Sequence, residues 1–106
     1  MSAKVICKDD TKVQYYTGLP NSETFYWLLS LFENFTLKYY TGKNVQVLSR
    51  QDQLFMTLMR LRRGLGRQEL ADWFNGSKQT VTNVTQTWID ALHIVMFKVL
   101  CQMCHL

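Results

Sequence analysis

Between Ser77 and Gln86 the chain carries Lys78, Gln79, Thr82, Asn83 and Gln86, spaced to share the outer side of a helix. All five side chains can hydrogen-bond and none is acidic. Short amides, a hydroxyl and an ammonium in this pattern suit the base edges and phosphates of duplex nucleic acid. Ser77, just before them, is a good N-cap, and the free N–H groups and dipole of such a helix end favour a phosphate. Upstream, Arg60, Arg62, Arg63 and Arg67 fall within eight residues. That cluster is assigned to sequence-independent attraction for phosphates.

Other chemistry finds less support. Cys101, Cys104 and His105 form a C-x-x-C-H pattern, the form of c-type haem attachment. That chemistry needs an export route and a pocket. Zinc would need a fourth ligand from His93 or Cys7, and three ligands crowded at one helix end make poor tetrahedral geometry. Cys101 and Cys104 are therefore read as small hydrophobes one turn apart. No metal and no cofactor are expected. The acids Asp9, Asp10, Asp52, Asp72 and Asp90 are scattered, and nothing marks them as a metal-binding triad. No Gly-rich phosphate loop, H-E-x-x-H or nucleophile elbow occurs, so no enzyme is expected. His93, beside Leu92 and Ile94, is read as a partly buried core or interface residue.

The elements that must carry the polar face are legible. A short helix runs from Arg67 to Phe74 with Leu70, Ala71, Trp73 and Phe74 apolar. Asn75-Gly76 breaks it, since both residues tolerate positive φ. Val81, Val84, Trp88, Ala91, Leu92 and Val95 then recur at helical spacing, predicting a long helix from Lys78 to about Leu100. Two helices joined by a tight turn, the second with a polar outer face, form the pattern of a DNA-reading helix-turn-helix. Ile89, Ile94, Met96, Phe97 and Leu100 add apolar surface beyond the inward stripe. A helix apolar on more than one face also fits a protein-interaction or dimerisation module, with a second copy or a nuclease subunit as partner.

Four or five helices of one all-α domain over residues 1–106 are predicted, with the helix-turn-helix core over about 49–92. Met1 to Lys8 is read as frayed or loosely docked. Asp9 to Tyr16 predicts a short helix capped by Asp9 or Asp10 and stopped at Gly18-Leu19-Pro20. Asn21 or Ser22 caps a helix reaching Phe35, with Phe25, Leu28, Leu29, Leu31 and Phe32 apolar. Thr36 to Leu48 is read as a loop. Ser49 caps the next helix, with Asp52 at its third position and Leu54, Phe55, Leu58, Met59 and Leu61 inward. Gly64 ends it.

Composition agrees. The 106 residues are 47% hydrophobic and 13% aromatic, enough for one buried core. The net charge is +4, with an excess of +3 in residues 54–106 and +1 in residues 1–53. No signal peptide is expected, and Trp88 to Leu100 is too short and too charged to span a bilayer. With three cysteines and no sign of secretion, reduced thiols are expected.

Three pieces in order carry a family resemblance. They are Tyr16-Thr17-Gly18-Leu19-Pro20 with Thr24-Phe25; Leu48-Ser49-Arg50-Gln51-Asp52-Gln53-Leu54 through Thr57-Leu58-Met59-Arg60-Leu61-Arg62; and Leu70-Ala71-Asp72-Trp73-Phe74 with Ser77 to Thr82 and Trp88-Ile89. Together, over about residues 9–100, the chain resembles the helix-turn-helix region of PIF/Harbinger-like transposases. The resemblance implies binding of duplex DNA in the nucleus, with transposon ends as target. In that family the DDE nuclease lies C-terminal to this module, so an isolated DNA-binding module is expected here.

Overall fold

The computed structural model describes residues 3–33 and 48–103, with side chains over 4–33 and 48–98. The fold is all-α, with six helices and no strand among the described residues: α1 (Ala3–Ile6), α2 (Asp10–Thr17), α3 (Ser22–Ser30), α4 (Arg50–Arg63), α5 (Arg67–Phe74) and α6 (Lys78–Met103). The helix expected to reach Phe35 ends earlier: α3 stops at Ser30, and the N–H groups of Leu31, Phe32 and Glu33 turn back to the carbonyls three residues before them, a tighter winding than the α-helix. Asn34, Phe35 and nearly all of the loop expected over Thr36 to Leu48 lie outside the described residues. So do the side chains of Leu100, Cys101, Cys104 and His105.

Local chemistry sets the helix ends. Asp9 caps α2, its Oδ1 accepting from the Thr11 N–H at 2.9 Å. Asn21 caps α3 by accepting from the Thr24 N–H at 2.8 Å. Ser49 caps α4 by accepting from the Asp52 N–H at 3.2 Å. Gly18 (φ 78°) and Gly64 (φ 66°) close α2 and α4 in the left-handed region, which a side chain would strain. Asp10 ties α2 to the start of α3, accepting from both the N–H and the hydroxyl of Ser22 at 3.0 and 2.8 Å. Those two bonds hold its carboxyl below the usual carboxylate value of 3.8.

The organising element is α4, which packs against all five other helices. Gln53, Leu54, Phe55, Met56, Thr57 and Met59 are all buried, so α4 is enclosed around most of its circumference. Aromatic rings bind its neighbours to it and to one another. Phe55 meets Phe25 of α3 at 5.6 Å and Tyr16 of α2 at 6.4 Å between centroids. Tyr16 also meets Trp73 of α5 at 5.1 Å. Trp88, fully buried on α6, packs against the tilted ring of Phe32 at 4.9 Å between centroids and donates its indole N–H to Gln53 Oε1 at 2.9 Å. Trp88, expected on the apolar stripe, thus anchors α6 against α4.

Of the two readings of the segment up to Lys8, the docked one holds over the described residues: α1 packs on α4 with Ile6 and Cys7 buried. Two apolar or small side chains on one short turn were enough to seat it. Burial pushes the Cys7 thiol above its usual value of 9.0; hydrogen bonds from Gln51 and Tyr26 act the other way. Leu61 is 58% exposed rather than inward, because α4 runs past the core in its last turn. His93 is exposed rather than partly buried, since it lies off the Trp88–Val95 stripe.

Candidate nucleic-acid interface

The α5–α6 pair is held by its apolar side chains. Leu70, Ala71 and Phe74 of α5 and Val81 and Val84 of α6 are buried in the common core. Between them the chain turns on Asn75, which takes a left-handed conformation (φ 57°, ψ 39°) and closes α5 on the Ala71 carbonyl. The Gly76 N–H reaches the same carbonyl at 2.9 Å. Of the two residues that tolerate positive φ, only Asn75 uses it.

Ser77 begins α6 as expected. Its Oγ accepts from the Thr80 N–H at 3.1 Å and donates to Thr80 Oγ1 at 3.0 Å. Lys78 and Gln79 are exposed on the first turn that follows. Thr82, one turn on, is half-buried and accepts from Arg67 Nη1 at 3.3 Å. Gln86 is also half-buried, and its amide donates to Asp90 Oδ1 at 3.3 Å. Ser77, Lys78, Gln79, Thr82 and Gln86 thus lie along one accessible edge of α6.

Asn83 does not join them. It is only 4% exposed, and Thr87, one turn later, is buried with it. The outer-face placement of Asn83 is corrected: α6 is covered on more than its apolar stripe. A polar side chain can be so covered because it is partnered. Among the described residues no buried side-chain nitrogen or oxygen lacks a hydrogen bond.

The arginine cluster is divided by the fold. Arg60 is half-buried and donates from Nη1 to the Leu65 carbonyl at 2.8 Å, bracing the α4–α5 link. Arg62 and Arg63 are exposed but lean on α2 and its end. Arg63 stands 4.2 Å over the Tyr15 ring, and a Cβ at Gly18 would come within 3.2 Å of Arg62 Cδ. Arg67, on the first turn of α5, is the member of the cluster that reaches α6.

The scattered acids have local partners in the helices. Asp9 caps α2, Asp10 holds Ser22, Asp72 accepts from Gln68 Nε2 at 2.9 Å and Asp90 accepts from Gln86. Among the described residues no three His, Cys, Asp or Glu side chains gather as metal ligands, and no helix is long and apolar enough to cross a membrane. Sequence reasoning missed Gln53, which bridges Trp88 to the Leu48 carbonyl at 2.9 Å. Its signal was a glutamine beside Leu54 and Phe55 on the inward side of a capped helix. It also missed the Arg67–Thr82 bond, which no spacing rule foretells.

A helix, a tight left-handed turn and a second, serine-capped helix with an accessible polar edge define a helix-turn-helix domain. The family model described as the helix-turn-helix of DDE superfamily endonuclease matches residues 46–98, half of the chain. The chain belongs to that family. The match takes in α4, α5 and α6 as far as Lys98; the Tyr16-Thr17-Gly18-Leu19-Pro20 piece lies outside it. Comparison with curated proteins and with solved structures finds no match.

Proposed function

We propose that the chain binds duplex DNA, with the N-terminal half of α6 entering the major groove. The observation that carries this is the accessible start of α6. Ser77 caps it, Lys78 and Gln79 stand exposed on it, and the buried Leu70–Phe74 and Val81–Val84 contacts hold it rigidly to α5. Its free N–H groups and Lys78 meet phosphate, while Gln79, Thr82 and Gln86 reach base edges. Arg62 and Arg63, on the α2–α4 edge, supply attraction without sequence information. Asn83 is withdrawn from the reading set and given a structural role. Cutting is assigned to a nuclease domain or subunit distinct from these residues, and the site of action to the nucleus.

The test is binding of the purified chain to random and selected duplexes across several salt concentrations, with Mg²⁺ and Mn²⁺ present in parallel nicking assays. Binding to duplex DNA that weakens steeply with salt supports the reading. Failure to shift any duplex at low salt, or metal-dependent nicking that one acid substitution abolishes, refutes it.

A second reading has its own observation. On either side of Val95, the last buried residue described on α6, Ile94 and Phe97 are 47% and 61% exposed, and Met96 is 37% exposed. Single exposed apolar residues are ordinary, but three within four positions of one helix favour a protein partner there. A second copy of the chain or a nuclease subunit would cover them. Sedimentation of the wild type and of Phe97→Ser measures this directly.

A further inference from the structure

The bond between Arg67 and Thr82 joins the two helices across the turn, and it bears on which arginine reads sequence. Arg67 sits on the first turn of α5 and is exposed, yet its Nη1 donates to Thr82 Oγ1 at 3.3 Å. Thr82 stands on the accessible edge of α6, one turn beyond Lys78 and Gln79. The guanidinium is thus held over the helix edge that the proposed function turns toward the groove. The rest of the upstream cluster faces elsewhere: Arg60 to the Leu65 carbonyl, Arg63 to the Tyr15 ring and Arg62 to Gly18.

Donor counting gives the tethered arginine a second task. A guanidinium carries five N–H donors in one plane. Thr82 occupies one, and among the described residues the Arg67 side chain has no other hydrogen-bond partner. The remaining donors still include a parallel pair. A parallel pair matches the O6 and N7 acceptors that guanine alone presents in the major groove. Holding the plane at a neighbouring hydroxyl lowers the rotamer freedom that must be lost on contact.

We propose that Arg67, positioned by Thr82, is a specificity determinant that reads a guanine, rather than a general phosphate contact of the upstream cluster. This rests on the DNA-binding reading above. In it Thr82 is a positioning residue as well as part of the polar edge.

The experiment selects bound sequences from a random duplex pool with the wild-type chain. Affinities for the selected duplex, its single-guanine replacements and random DNA are then measured across salt for Arg67→Lys, Arg67→Ala and Thr82→Val. Helicity by circular dichroism confirms that each exposed-site variant is folded. The wild type is expected to select at least one fixed guanine. Arg67→Lys keeps the charge but loses the fork, so discrimination at one guanine should fall about 5- to 150-fold with an unchanged salt slope. Thr82→Val leaves Arg67 in place and should lower discrimination at the same guanine. Random-DNA affinity should stay within about 2-fold for both, since backbone contacts dominate it.

The proposal is overturned if Arg67→Lys leaves every guanine preference intact. It is equally overturned if Arg67→Ala weakens all duplexes alike and lowers the salt slope by about one unit, as a phosphate contact would. A wild type that binds no duplex defeats the DNA-binding reading itself, and this proposal with it. A wild type that binds duplexes with no fixed guanine defeats this proposal alone.

Discussion

Replacing Gln53 by Met tests whether the buried amide, rather than apolar packing alone, joins α4 to α6. Gln53 is 1% exposed, and it accepts from the fully buried indole of Trp88 and donates to the Leu48 carbonyl, each at 2.9 Å. Methionine keeps the length and fills the space but leaves both groups without that partner. An orphaned buried polar group costs about 1–3 kcal/mol. Leu48 is only half-buried, so water can reach its carbonyl, and the indole N–H bears most of the loss. The expected destabilisation is about 2–4 kcal/mol. For a chain of this length that is roughly 9–18 °C in Tm. Urea unfolding followed by circular dichroism should show a lower midpoint with an unchanged slope, because the surface exposed on unfolding is the same. Trp88→Phe removes the orphaned donor, so the double variant should be less destabilised than the sum of the two single ones, by about 0.5–3 kcal/mol. A loss below about 0.5 kcal/mol for Gln53→Met, or strict additivity in the double variant, would refute the reasoning.

Asn83→Ala should lower stability by about 1–3 kcal/mol, as loss of a partnered buried amide does, while Gln79→Ala leaves stability unchanged and weakens only the preferred DNA site by about 1–3 kcal/mol; unfolding and binding curves on both variants separate the two roles. The Asp10 carboxyl, depressed by its two bonds from Ser22, supports the folded state above the ordinary carboxylate value of 3.8 and loses that support as pH falls through its lower folded value. Acid unfolding of Asp10→Asn should therefore lose that part of its pH dependence, and identical acid profiles would disprove the tie. The Cys7 thiol, raised by burial, favours the folded state below its ordinary value of 9.0 and loses that contribution as pH rises through its folded value. Mass-mapped alkylation at neutral pH should label Cys7 slowly in the folded chain and readily in urea; equal rates would place α1 away from the core.

Much of this molecule is decided by local chemistry, and that part was readable in advance. Caps at Asp9, Asn21, Ser49 and Ser77 and stops at Gly18, Gly64 and Asn75 act within one or two turns. Their effect depends on residues three or four positions away, which a sequence displays. The Val81–Val95 stripe was legible for a similar reason, because an apolar residue at each helical turn must be buried somewhere. What the stripe could not show is how far burial extends beyond it. Whether Asn83 faces solvent, whether Leu61 faces the core and whether α1 docks depend on what packs against each helix from distant parts of the chain. Gln53 and Trp88 lie 35 residues apart, and Arg67 and Thr82 lie 15 apart. A hydrogen bond is short and directional, so only the packed arrangement of α4, α5 and α6 decides which of many possible polar partners meet. The polar edge of α6 was thus determined by sequence as a set of side chains. The tertiary structure removed Asn83 from it, added Arg67 to it and turned the other arginines away.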